Sequence, residues 1–477
     1  MHQHNSSTLK FTKMIQTPKS GLRSILIIFL SMLVFSTACE KDQTPPVKTD
    51  IHGVAYDAIT FASLEGAVVT ILVTGKSGQS NSEWQTNVGA EGEFVFKEIP
   101  VGTYDMYIEH EDYKQMFSNN IGLTVEGAFV AFLPATKDLE YPIGGITGIV
   151  TNTDGTPLPN ANVAISAQLD SITNGYFASV TTNKNGQFFI GAVPLQSTQE
   201  FKVRCIAERY EPQTLQNINI LNNEMIVMHV IMEEEEPSDL IFYEGFEGEM
   251  TGWNNTGFWH VHQNTEIYNS AYPDYVKLAP NDYSAGRIPN AYKGSRMAWY
   301  GEAEAGNFMG DQSPNDTQLS GGTSVSPNNG VMISPVINLW GHTEASLHFW
   351  SWFEIESVNP NQYGYDKMEI SVLNSNGETK LLGKLNPYID PIIPERRAIP
   401  YTSGGFNQAP VWKYETFDLS HYAGTAIRLK FSFDTRDALY NGFRGWFIDE
   451  ISIIDRAVND TKSNFDPSQP LMERSTY

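Results

Sequence analysis

Apolar and polar positions alternate in short runs along most of the chain. In "AIRLKFSFD", Ile427, Leu429, Phe431 and Phe433 fall on one face, the two-residue period of a half-buried strand. In "GWFIDEISII" the same period puts Phe447, Asp449, Ile451 and Ile453 on one face. That places a carboxylate in an otherwise apolar row, where an unpaired charge is costly and needs a partner. "LIFYEGF", "RMAWYG", "GVMISPVINL", "ASLHFWSWFEI", "KMEISVL" and "WKYETFDL" read as further strands. Trp350 and Trp352 share one face of their run and Phe349 and Phe353 the other, so at least one pair belongs to a core. Between residues 240 and 455, strands without helices predict a two-sheet jelly roll.

Upstream, one strand pattern occurs twice. "IHGVAYDAITFASLEGAVVTI" and "GEFVFKEIPVGTYDMYIEHEDY" recur as "ITGIVTNTDGTPLPNANVAIS" and "GQFFIGAVPLQSTQEFKVRCIAERY". Gly53 aligns with Gly148, Ala67 with Ala161, Gly92 with Gly186 and Pro100 with Pro194. The period is too long for a solenoid and suits a duplicated small domain. "TDGTPL" and "NKNGQF" carry turn and hairpin residues. Short β-branched and aromatic runs between turns predict an Ig-like sandwich for each copy, 50–140 and 141–233. The run "MEEEEPSD" marks the boundary to the third domain. The fold class expected is all-β: two Ig-like sandwiches in tandem, then a jelly-roll sandwich over 240–455 and a tail over 456–477.

Both copies resemble the carboxypeptidase regulatory-like domain, with its G-x-V, L-x-G-A-x-V and G-x-F-x-F-x-x-I-P-x-G-x-Y pattern. In the first copy these are Gly53, Val54, Leu64, Gly66, Ala67, Val69, Gly92, Phe94, Phe96, Ile99, Pro100, Gly102 and Tyr104. In the second, Asn160 replaces a glycine and "LQSTQEF" the G-T-Y turn. Such domains accompany peptidases without being catalytic. "YEGFEG", "AWYG", "ISPVINL", "LHFWSWFE", "FDLSHYAGTAIRLKF" and "GWFIDEISI", in that order, resemble the MAM-like jelly rolls of immune inhibitor A-type peptidases and anchored bacterial proteins. That resemblance implies a structural Ca²⁺ held by Glu247 on the first strand and Asp449 on the last, with Glu244 as a further ligand. Calcium takes oxygen ligands in irregular geometry. The alternatives for Asp449 are an arginine, Arg444 or Arg296, or backbone N–H groups.

Charge and cysteine content place this fold. Formal net charge is −24, which argues against nucleic acid as a partner. Before Cys39 the chain holds Lys10, Lys13, Lys19 and Arg23, no acid, and then "SILIIFLSMLVFSTA". That is a signal-peptide core, short for a membrane span. "FSTACEKD" resembles a bacterial lipoprotein signal: 1–38 would be removed, Cys39 acylated and 39–49 left as a linker. "EKD" resembles the export tag of surface lipoproteins of Gram-negative bacteria, implying the outer membrane or cell surface. Only Cys205 remains, too few cysteines for a disulfide framework or a cysteine metal site. His260 and His262 share a strand face and read as surface histidines near a sandwich rim.

G-x-S-x-G, H-E-x-x-H, P-loop and G-x-G-x-x-G patterns do not occur, so no enzyme is expected. The loop 386–410 offers Tyr388, Arg396, Arg397 and Tyr401 on a proline-rich framework as ligand candidates. The function expected is a non-enzymatic surface lipoprotein that displays a jelly-roll binding module for an extracellular glycan or protein on Ig-like spacers. The alternative is an accessory subunit of a secreted peptidase or polysaccharide-degrading assembly.

Overall fold

In the computed structural model, residues 46–464 are described except 76–82, 126, 168–177, 196–199, 237, 249, 272–281, 283, 318–320, 357–364, 386–399 and 407. The signal segment and Cys39 lie outside them. Among the described residues the chain is all-β, with one 3₁₀ turn at Ser420–Tyr422, and no helix is long and apolar enough to cross a membrane.

The duplication seen in the sequence is a duplication of topology. In the first copy Glu93–Pro100, Lys48–Ala55 and Ala128–Phe132 form a three-stranded sheet. It is paired with a four-stranded sheet of Glu83–Asn87, Val68–Val73, Gly102–Glu109 and Met116–Leu123. The second copy repeats the order, with Gln187–Pro194, Ile143–Asn152 and Met225–Met232 in the smaller sheet. Ala178–Thr181, Asn162–Ala167, Phe201–Ile206 and Gln213–Ile218 form its larger sheet.

The aligned glycines sit where the first strand passes between its two neighbours. A Cβ on Gly53 would fall 2.4 Å from the Val130 carbonyl oxygen and 2.1 Å from the Phe94 ring. One on Gly148 would fall 1.8 Å from the Met228 carbonyl oxygen. Backbone cannot yield as a flexible side chain does, so Gly148→Ala should cost more than the roughly 1–3 kcal/mol of ordinary overpacking. Thermal melts should show a drop of many degrees for Gly148→Ala. Gly248→Ala, where nothing lies near the added carbon and φ is outside the left-handed region, should change little; equal melts for the two would refute this account.

The third domain packs two sheets face to face. One contains Trp259–Gln263, Arg296–Tyr300, Gly445–Ile454 and Ser346–Glu356, with Leu240–Glu244 beside Gly445–Ile454 and Lys413–Asp418 beside Ser346–Glu356. The other, six-stranded, runs Asn254–Asn255, Asn329–Ile333, Ala426–Asp434, Lys367–Asn374, Thr379–Lys384, with Ile337–Asn338 also beside Ala426–Asp434. Leu347, Phe349, Phe353, Phe431, Phe433, Trp446 and Ile448 fill the space between them.

The domains are joined by more than linkers. Phe132 and Leu133 share one apolar cluster with Ile143 and Met225 of the second copy. The buried Thr147 hydroxyl accepts from the Ala131 amide at 3.1 Å and donates to the Phe188 carbonyl at 3.1 Å. The larger sheet of the second copy is extended at both edges by the third domain. Ala178 pairs with Gly405, and the Ser179 amide donates to the Gly404 carbonyl at 2.7 Å. At the other edge Gln213–Gln216 pairs in parallel with Thr461–Asn464, a strand within the stretch expected to be a tail. The acidic run is engaged as well. Arg456 gives Nη2 to Glu235 at 2.5 Å and lies 3.6 Å from Glu211, fastening the end of the third domain onto the second.

Candidate functional site

Asp449 does not lie on the core face. Its strand pairs Leu347 with Ile453 and His348 with Ser452, then shifts register so that Trp350 faces Asp449. At the shift Glu450 adopts φ +51°, a β-bulge that reverses which face each later side chain takes. Ile451 and Ile453 therefore join Trp446 and Ile448 in the core. Phe447 instead packs outward with Trp299 and Trp352. The row expected to hold Phe447, Asp449, Ile451 and Ile453 together is split in two by one residue.

On that outer face Asp449 is fully buried under the segment Ala291–Arg296. Its Oδ2 accepts from the Lys293 amide at 3.1 Å and its Oδ1 from the Glu450 amide at 2.8 Å. Burial pushes its carboxyl up to about 7, against the pull of these amides and that of Tyr292. Neither arginine reaches it. Arg296 donates to the Glu247 carbonyl, and Arg444 is engaged elsewhere.

Glu247 is exposed and holds the next turn of the same segment. It accepts from the Ser295 amide at 2.7 Å, the Ser295 hydroxyl at 3.0 Å and the Arg296 amide at 3.0 Å, which together hold its carboxyl below the usual value. Glu244 accepts from the Phe246 amide at 2.8 Å and the Trp253 indole at 3.0 Å. Each carboxylate thus faces N–H donors, the opposite of what a cation needs. Among the described residues no three His, Cys, Asp or Glu side chains are grouped to hold a metal ion. Calcium held jointly by Glu247, Asp449 and Glu244 does not fit this arrangement.

The same outer face carries a buried ionic centre. Arg444 is fully buried and uses all five of its N–H donors. Nε and Nη2 grip Glu354 at 2.7 and 3.0 Å, and Nη2 also reaches Asp282 at 2.5 Å. Nη1 donates to the Ser284 hydroxyl at 2.7 Å and the Arg287 carbonyl at 2.9 Å. Its guanidinium lies 4.8 Å from the Trp352 ring centre. Burial raises the Asp282 carboxyl, but Arg444 and Ser284 outweigh it and hold the group below its ordinary value.

Few of the tryptophans are surface platforms. Trp350 stacks on Tyr292 at 3.7 Å and clusters with Tyr414 and with Ile206 of the second domain. His262 is buried, its imidazole lowered to about 4 by burial, and both His260 and His262 pack on Trp299. The pair is thus partly interior. Tyr401 is also interior: it is 2% exposed, pairs with Ile355 and packs on Phe353, so it is a core residue and not a ligand contact. Tyr388, Arg396 and Arg397 lie outside the described residues.

The second sheet presents an open outer face that sequence reading passed over. Opposite the core residues Ile427, Leu429, Phe431 and Phe433 stand Arg428, Lys430, Ser432 and Asp434. Lys430 is flanked by Ile333 on one strand and Ser371 on the other. Lys367 and Lys384 lie 2.9 and 3.6 Å from Glu369. The signal was present in the alternation of "IRLKFSF", but charges on the outward side of a strand ordinarily mean only solvation.

Fold and site together define a tandem-sandwich protein of Ig-like and jelly-roll domains. The family model of the carboxypeptidase regulatory-like domain matches residues 145–233, the second of the two copies. No curated protein matches the chain. Among solved structures, the K1 cleaved adhesin domain of Lys-gingipain from Porphyromonas gingivalis W83 is 14% identical, covering 44% of this chain and 96% of that one at a TM-score of 0.24. The CBM22-1 xylan-binding domain of Paenibacillus barcinonensis Xyn10C is 13% identical, covering 46% and 98% at 0.23. GBS52, a minor pilin of Streptococcus agalactiae, is 9% identical, covering 40% and 98% at 0.16. Likenesses this slight say nothing about what the chain binds.

Proposed function

We propose that this is a non-enzymatic, surface-displayed binding protein, anchored through an acylated Cys39 in the outer membrane of a Gram-negative bacterium. Its jelly-roll domain takes an extracellular glycan or protein. The observation that carries the reading is the mounting of that domain. Gly405 and Thr461–Asn464 extend both edges of the second domain's sheet, and Ile206 packs into the aromatic cluster around Trp350. Such a mount holds a binding face at a fixed orientation to the rest of the molecule, which suits display better than catalysis by moving parts. Open sheet edges are pairing hazards, and a displayed protein with its edges covered avoids self-association.

Two measurements test it together. Cys39→Ser should move the protein from the membrane to the soluble fraction, and a glycan array probed with the full chain should give selective binding. Unchanged membrane association would end the lipid-anchor proposal, and an array without selective binding would count against glycan.

A further inference from the structure

The outer face of the six-stranded sheet reverses the charge of the molecule. The chain has 31 basic residues against 55 acidic ones, yet Arg428, Lys430, Lys367 and Lys384 gather on adjacent strands of this one face. Their acids are already engaged. Glu369 lies between Lys367 and Lys384, and Asp434 takes Arg436 at 3.7 Å. Lys430 has no ion pair among the described residues. Among the described residues Arg428 has only the Ser334 carbonyl, at 3.3 Å from its Nη1. No described strand packs on this side. Side chains on one face recur about 5 Å apart across strands and about 7 Å apart along them, so the uncompensated cations form a fixed row.

We propose that this face binds an extended anionic polysaccharide, with Arg428 and Lys430 receiving its carboxylates. The proposal rests on the surface-display reading and deepens it by naming a ligand class. Global charge does not prevent this, since at physiological ionic strength charges farther than about 8 Å are largely screened. The local row decides. One neighbour favours a sugar: Ser432, next to Lys430 on the same face and only half-buried, offers a hydroxyl hydrogen bond. Strong protein contacts centre on buried aromatic anchors, and the strand residues of this face are basic, acidic, hydroxyl or aliphatic. Duplex DNA carries a charge about every 1.7 Å and binds through many phosphate contacts. Two free cations are too few for that, but suit a polymer with one carboxylate per sugar.

The full chain should bind polygalacturonate, with affinity falling as salt rises from 50 to about 200 mM, and should ignore neutral dextran. The double variant Arg428→Glu/Lys430→Glu should lose at least about tenfold in affinity, roughly 1.4 kcal/mol. Lys184→Glu, an exposed turn residue of the second domain, should bind as wild type. An unchanged melting temperature in the double variant would show that the loss is not unfolding; if that variant melts early, Arg428→Gln/Lys430→Gln replaces it with the same expectation. Polygalacturonate binding indifferent to these variants, or no binding to it, overturns the proposal, as does duplex DNA bound equally well with the same sensitivity. Selective array binding confined to neutral glycans would overturn the anionic assignment while leaving the display reading standing.

Discussion

Arg444→Ala should be among the most destabilising single substitutions in the third domain. Alanine would leave Glu354 and Asp282 facing each other across a site from which water is excluded; they are 0% and 5% exposed as side chains. Removing one partner of a buried ion pair typically costs about 3–5 kcal/mol, because the remaining charge is stranded. Here two are stranded, and the Ser284 hydroxyl and Arg287 carbonyl lose their donor as well. For a domain of this size such a loss lowers the melting temperature by about 10 °C or more. The pair is no evidence of net stabilisation, since buried ion pairs often do no better than apolar substitutes. Its role is positional: it draws the segment around Ser284 and Arg287 onto the sheet. Arg444→Lys should restore only part of the stability, because an ammonium group cannot reproduce the fork that grips Glu354. Urea unfolding of wild type and both variants checks this, and an Arg444→Ala cost below about 1 kcal/mol would refute it.

The sequence announced its periodic features and concealed the exceptions to the period. Gly53 and Gly148 marked equivalent strands, and alternation located the core of Ile427, Leu429, Phe431 and Phe433. A period of two is a statement about undistorted strands, however, and one bulge at Glu450 was enough to move Asp449 off the face assigned to it. Glycine often flags a bulge in a sequence; here the residue with positive φ is a glutamate, so nothing marked it. Partnerships across long separations were equally silent. The acidic run "MEEEEPSD" read only as a domain boundary because its cation, Arg456, comes 220 residues after Glu236. Burial raises the Glu235 carboxyl while Arg456 opposes it, a balance that composition cannot show. Tyr401 looked like a loop residue because prolines surround it. Its strand is short, Pro400–Thr402, and its place is fixed by Ser346–Glu356.

The carboxyl group of Asp449 should make the stability of the protein depend on pH in a direction opposite to that of most native carboxylates. Its native pKa is about 7, raised from 3.8, so between those values the folded chain holds a proton that the unfolded chain has released. Stability then falls as pH rises from about 4 to about 7 and levels off above. The full excursion corresponds to roughly 4 kcal/mol. Buried histidines act in the other sense. Burial lowers His348 to about 3 and His262 to about 4, so each costs stability as pH falls below the unfolded histidine value near 6.5. Comparing wild type with Asp449→Asn at each pH cancels those contributions. Relative to wild type, the asparagine variant should gain as pH rises from 5 to 8, since its amide never ionises. Glu450 and Lys293, whose side chains pair at 2.9 Å, Tyr243, which donates to Glu450, and Tyr292, whose phenol is pushed up mainly by burial and also by Asp449, also face the site. The consequence reaches the junction of the second and third domains, because the Lys293 amide held by Asp449 adjoins Tyr292, which stacks on Trp350 against Ile206. A wild-type-minus-variant difference that stays constant from pH 5 to 8 would mean that Asp449 keeps one charge state throughout, and the buried-carboxyl account would then be wrong.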